Sequence, residues 1–252
     1  MRRVVRGFWG PRPESERELA ARWSALLTRL RDIDPAVFGT WQEVPDATNT
    51  DALAARLRER NAGDDWSDRK GYAMALSTPA ANPVKVSVSG TGGGVSEHLP
   101  MSVVLTITAP DDDGAALPYA EILRAVAETW DVDWGEVTQT ELQLALEDDG
   151  REPGQACVGW AGYLSERRAA LLTGAGAGAG ADAALLAGAG KAPDVPGKAP
   201  GLPGKTEPTE HGGLLLDLSG AGGVEDLVAV NREVRATGAL EALPRPMDRA
   251  KL

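Results

Sequence analysis

The chain has 252 residues, 42% hydrophobic and 25% charged, a balance that suits a globular protein long enough to bury a sizeable core. Its 37 acidic against 26 basic residues give a net charge of −11, which argues against general nucleic-acid binding, because neutralising phosphates takes clustered Lys and Arg. The one cysteine, Cys157, excludes an internal disulfide, no apolar run reaches the ~20 residues of a membrane span, and MRRVVRGFWG lacks a signal-peptide core, so a reducing, cytoplasmic location is expected.

The chain opens with a strand that ends at Phe8 and Trp9, turned by Gly10 and the prolines Pro11 and Pro13. Ser15 and Glu18 then form an S-x-x-E capping box, and Leu19, Trp23, Leu26, Leu27, Leu30 and Ile33 line one face of the helix it starts. A shorter helix is predicted over Asp51–Arg60. Three period-two runs follow: Tyr72, Met74 and Leu76; Val84, Val86 and Val88; and Met101, Val103, Leu105 and Ile107. Alternation of that kind implies an antiparallel sheet with one buried face. The glycine-rich SGTGGGVS, Ser89–Ser96, between the last two runs reads as a hairpin connection. It lacks the G-K-[ST] ending of a phosphate loop and precedes no helix.

Pro118 opens a central helix carrying Tyr119, Ile122, Leu123, Val126 and Trp130 on one side. Beyond it Asp131 and Asp133 read as solvated residues after a helix end, and ELQLALED and CVGWAGYLS as two more strands. From Thr173 to Glu210 the chain repeats GAG and PGK with almost no large apolar residues, so a disordered linker is expected there. GGLLLDLSG then has strand character, and Val224, Leu227, Val228 and Val234 keep helical spacing up to a Gly238 cap. A lone strand and helix cannot form a core, so they are expected to rejoin the earlier sheet. The expected fold is one α+β domain, a mainly antiparallel sheet with helices packed on one face: residues 1–172 the main part, 173–210 an inserted linker, 211–252 the returning strand and helix.

Chemistry is sparse. His98 and His211 have no partners at metal-ligand spacing, so neither a metal nor a cofactor is expected. A thiol hydrolase built on Cys157 and His98 is one alternative, set against the strong tendency of cysteine to be buried. An interaction scaffold using the linker as a docking arm is another. Seven tryptophans outnumber three tyrosines and two phenylalanines, and Trp41 and Trp66 fall in predicted loops where they could anchor a partner.

Taken together and in order, FWGPRPES with its helix, IDPAVFGTW, VDWGEVT and VGWAGYLS closely resemble the immunity protein 52 family of bacterial polymorphic toxin systems. The Gly/Ala/Pro tract departs from that pattern as an expanded loop. The resemblance implies a non-enzymatic antidote to a cognate toxin, often a restriction-endonuclease-like nuclease, that covers the toxin's active site, with no direct nucleic-acid or membrane partner. From charge alone, the expected toxin-binding surface is the acidic middle of the chain: Asp111, Asp112, Asp113, Glu147, Asp148 and Asp149, with Trp41 or Trp66 as apolar anchors.

Overall fold

The computed structural model describes residues 1–44, 46–63, 66–110, 117–152, 154–173 and 204–252. Eight strands form one antiparallel sheet: β1 Arg2–Trp9, β2 Tyr72–Ser77, β3 Lys85–Gly92, β4 Met101–Thr108, β5 Trp134–Thr138, β6 Ala161–Leu164, β7 Lys205–Pro208 and β8 Leu214–Asp217. Their order is β2-β3-β4-β1-β5-β6-β8-β7, so the first strand of the chain lies in the middle, paired with β4 and β5. The helices are α1 Glu16–Ile33, α2 Pro35–Phe38, α3 Thr50–Arg60, α4 Tyr119–Trp130, α5 Thr140–Asp148, α6 Glu166–Leu172 and α7 Val224–Ala236. This is the expected α+β architecture, except that helices cover part of the second face of the sheet as well as the first.

Alternation along β1 divides the molecule. Val5 and Trp9 join the larger core with the α1 stripe and with Ile122, Leu123 and Val126 of α4. Phe8 points the other way, towards a smaller core of Trp134, Leu142, Leu146, Val158, Leu164, Leu216, Leu227 and Val234, where α5 and α7 meet. That second layer stops at β5. Over β2, β3 and β4 the same side of the sheet is open: Ala73, Ser87, Ser89 and Thr108 are exposed, and Ser102, Val104 and Thr106 half-buried.

The corner after β1 is built as the capping box predicts. The Ser15 hydroxyl accepts from Glu18 N–H and the Glu18 carboxylate accepts from Ser15 N–H, which fixes where α1 starts. Trp9 stacks on Trp130 with centroids 5.4 Å apart, Trp23 meets Trp130 edge-on at 5.2 Å, and the Arg12 guanidinium lies over Trp9 while donating to the Trp130 carbonyl at 2.8 Å. The stretch SGTGGGVS is no hairpin tip. Ser89–Gly92 finishes β3, with Gly90 opposite Val103 and Gly92 opposite Tyr72. A Cβ on Gly92 would come within 2.9 Å of Leu19, so glycine here lets α1 approach the sheet closely.

Three other expectations change. ELQLALED is the helix α5: Leu142 and Leu146, four residues apart, are buried, and the intervening Leu144 is left 57% exposed. Three leucines at alternate positions mimic a strand, but only two of them face a core. The strand expected over CVGWAGYLS is limited to Ala161–Leu164. The linker expected over Thr173–Glu210 lies outside the described residues from 174 to 203, and its last part instead forms β7, which pairs with β8.

The outer edge of β2 is closed by side chains. Asn61 donates to the Ala73 carbonyl at 3.0 Å and accepts from Ala73 N–H at 3.0 Å, and Glu43 accepts from Ser77 N–H at 2.8 Å. At the other end of the sheet, β7 ends in Pro208, which has no N–H to offer.

After α7 the chain recrosses the molecule. Met247 N–H bonds the Glu97 carbonyl at 2.7 Å and Gly10 N–H bonds the Ala250 carbonyl at 2.8 Å. A side chain at Gly10 would overlap the Arg249 carbonyl oxygen. Gly10→Ala should therefore displace the C-terminal crossing and cost about 1–3 kcal/mol, the usual penalty of overpacking. Urea unfolding monitored by tryptophan fluorescence should show the lowered midpoint; an unchanged midpoint would mean that the crossing adds nothing to stability.

Candidate functional site

Two acidic side chains at β5 are fully buried, one just before the strand and one within it. Asp133, just before the strand, is paired with Arg168 of α6, and neither side chain is exposed. Arg168 Nε and Nη2 donate to Asp133 Oδ2 at 2.9 and 2.7 Å, while Nη1 donates to the Ala239 and Glu241 carbonyls at 2.7 and 2.8 Å. The other carboxylate oxygen accepts from Ser165 Oγ at 2.9 Å and from Leu252 N–H at 3.0 Å. The expectation of a solvated aspartate at this position is overturned. Its neighbour Asp131 sits in the left-handed region at φ 49° as the C-cap of α4 and pairs with Lys251.

The second acid is Glu136. Its Oε1 pairs with Arg6 of β1 and its Oε2 accepts from the Cys157 thiol, while Gln143 of α5 donates to Thr138 Oγ1 at 2.9 Å beside it. Gln143 in turn accepts from Arg151 at 2.7 Å, and Arg151 reaches Glu147 at 3.4 Å. Burial first, and then the Glu136 carboxylate, push the Cys157 thiol well above its ordinary range. That is the reverse of what a nucleophilic thiol needs. His98 is exposed in the loop before β4, and its backbone N–H donates to Ser96 Oγ.

Next to Glu136 the surface opens into a cavity of about 190 Å³. It is lined by Arg6, Phe8, Trp134, Arg151, Arg245 and Met247, among others, and Phe8 and Trp134 stack in its wall with centroids 4.4 Å apart. Its last side is the crossing that follows α7, which includes Arg245 and Met247.

The residues nominated from the sequence are scattered among different environments. Asp111, Asp112 and Asp113 lie outside the described residues. Glu147 and Asp148 are exposed at the end of α5. Asp149 is already engaged by Arg232 and Arg235 of α7, and its pKa is lowered, first by the Arg232 hydrogen bond. Trp41 is 4% exposed and belongs to the larger core, beside Leu27, Phe38 and Val44, so its loop folds inward and offers no anchor. Trp66 is half-buried and packs on Tyr72 at 5.2 Å. Arg6, Glu136, Arg151 and Arg245 escaped notice, since nothing in their local sequence shows that three arginines from distant segments converge on one cavity. Among the described residues no group of His, Cys, Asp and Glu could hold a metal ion, and no helix is long and apolar enough to cross a membrane.

The family model for immunity protein 52 matches residues 4–172, from β1 to the end of α6. None of the curated proteins matches the chain significantly. Among solved structures, the Pseudomonas aeruginosa T6SS protein PA0821 is similar at 13% identity with a TM-score of 0.46, over 96% of this chain and 73% of that one. That likeness is too loose to set the position of any side chain.

Both buried clusters make measurable predictions. Replacing Arg168 by Leu leaves the Asp133 carboxylate buried and unpaired, and should cost about 3–5 kcal/mol in urea unfolding. Replacing both residues by Leu should restore much of that loss; equal losses in single and double variants would show that Arg168 acts only through the two carbonyls. Cys157 should react with a thiol reagent at pH 8 only as fast as the protein unfolds. Because its folded pKa is raised, the thiol's contribution to stability is complete below the ordinary thiol pKa and is lost as pH rises above it. Cys157→Ala should flatten that alkaline decline, and an identical decline in the variant would assign it to other groups.

Proposed function

Because the chain belongs to the immunity protein 52 family, we propose that it binds a cognate toxin inside the producing cell and neutralises it by stoichiometric occlusion of the toxin's active site. The observation that carries this reading is the family match running unbroken from β1 to α6, which takes in both buried clusters of β5. The toxin that the family resemblance implies is a nuclease, and the site of action is the cytoplasm. The chain's own chemistry suits binding: its one thiol is spent as a donor to a buried carboxylate.

Charge gives the complex its approach. A nuclease cleft must attract a polyanion, so its rim is basic, and a protein of net charge −11 gains association rate towards such a rim. The groups that serve this steering are Glu147 and Asp148 at the end of α5, together with Asp111, Asp112 and Asp113. Asp149 contributes less because Arg232 and Arg235 hold it. Trp66, half-buried against Tyr72, remains a candidate contact.

Co-expression of this chain with the toxin domain encoded beside it should rescue growth. In vitro, toxin activity should fall linearly to zero at one equivalent; a toxin still active under excess of this chain would sink the reading. Changing Asp111, Asp112, Asp113, Glu147 and Asp148 to Ser should slow association about 10-fold at low salt and much less at high salt. An on-rate equal to that of the unaltered chain at low salt would remove the acidic runs from the encounter.

A further inference from the structure

In this strongly acidic protein one side bears no carboxylate among the described strand residues. On the open side of β1, β2, β3 and β4 the outward positions are small or polar, Ala73, Ser87, Ser89, Ser102 and Thr106 among them, and the charged ones are Arg2, Arg6 and Lys85. All of these charges are positive. Where this open side meets the second helical layer lies the cavity of about 190 Å³ with Arg6, Arg151 and Arg245 in its lining.

The donors there exceed their acceptors. Arg6 Nε and Arg151 Nε are buried without a hydrogen-bond partner. Arg245 is exposed and makes no hydrogen bond or ion pair among the described residues. Glu136 is used by Arg6 and Cys157, and Glu147 approaches Arg151 only from the exposed rim. The Nε–H groups of Arg6 and Arg151 are enclosed, so it is the three guanidinium groups in one lining, with Arg245 unpaired, that make the cavity favour an oxygen-bearing anion. The stacked Phe8–Trp134 wall dries one side of it, which strengthens any charge-assisted bond made there.

We propose that this cavity seats a carboxylate side chain of the toxin, one of those that hold a catalytic divalent cation. The inference rests on the toxin-neutralising role above. Its volume admits a single side chain, not a helix or a strand. A cleft that cuts a polyanion has basic walls around a floor of carboxylates, since hard divalent cations take oxygen ligands. The acidic outer surface is attracted to the walls, and the arginine cavity then takes the floor. An arginine fork engages a carboxylate with two parallel bonds, in direct competition with the metal.

The test compares the unaltered chain with Arg245→Ala, Arg245→Glu and a control, Arg17→Glu on the exposed side of α1, binding the toxin domain encoded beside it by isothermal titration. Arg245 is exposed, so each variant should keep the urea midpoint of the unaltered chain. Expected is a 10–100-fold weaker Kd for Arg245→Ala, a larger loss for Arg245→Glu, and none for Arg17→Glu. Changing a metal-holding Asp of the toxin to Asn should cause a similar loss that Arg245→Ala does not deepen. Unchanged affinity of Arg245→Glu, or losses that add in full, would overturn the proposal. If the unaltered chain does not bind the toxin, the toxin-neutralising role fails, and glutarate as a probe still decides on the seat. Saturable shifts of arginine Nε–H resonances that vanish in Arg245→Glu support a carboxylate seat, and their absence refutes it.

Discussion

One buried ion pair sets the geometry on which the second half of the molecule depends. Arg168 and Asp133 are fully enclosed, and the guanidinium satisfies two carbonyls beyond α7 as well as the carboxylate. Such a pair adds little net stability over apolar residues of similar volume, because desolvation of both charges opposes their attraction. Its worth lies in position. A planar guanidinium donating in three directions fixes α6 against β5 and holds the chain after α7 at one place. The segment that follows, with Leu243, Arg245 and Met247, forms a wall of the arginine cavity. A pair lying between β5 and α6 thus determines the shape of a surface built by residues of a later segment.

The sheet has two unlike halves because its faces are unevenly covered. On one face the helices bury the apolar side chains that alternate along β2, β3 and β4, with glycine at the last two inward positions of β3. On the other, α5 and α7 cover only the half beyond β1. The open half is surfaced mainly with serine, threonine and alanine, with Arg2, Lys85 and Val104 among them. Short side chains leave this face accessible to another protein, and the cavity at its border supplies depth.

Much of this fold was legible in the sequence where local rules and packing agree. The Ser15 and Glu18 box, the leucine stripe of α1 and the alternation of β2, β3 and β4 each obey a single period, and the structure keeps them. Errors arose where a residue's partner lies far along the chain. Asp133 looked like a turn residue because Arg168 is 35 positions away. Trp41 looked like an exposed anchor because a loop can fold under a helix without any periodic sign of doing so. The glycines of Ser89–Ser96 suggested a hairpin connection, whereas Gly90 and Gly92 mark the places where Trp23 and Leu19 press on the sheet. The arginine cavity was unreadable for the same reason: Arg6, Arg151 and Arg245 belong to three segments that only the sheet order brings together.

A protein that acts by stoichiometric occlusion, as proposed for this chain, must be stocked in at least the number of its targets, and stock invites self-association. The closed edge of β2 bears on this directly. Asn61 and Glu43 occupy the backbone groups through which a second sheet would attach, and Pro208 interrupts the edge at the far end. An open edge would otherwise be a template for adding strand to strand. Capping the margins while leaving the face open confines recognition to side chains, so that selectivity, and not backbone stickiness, decides what this surface holds.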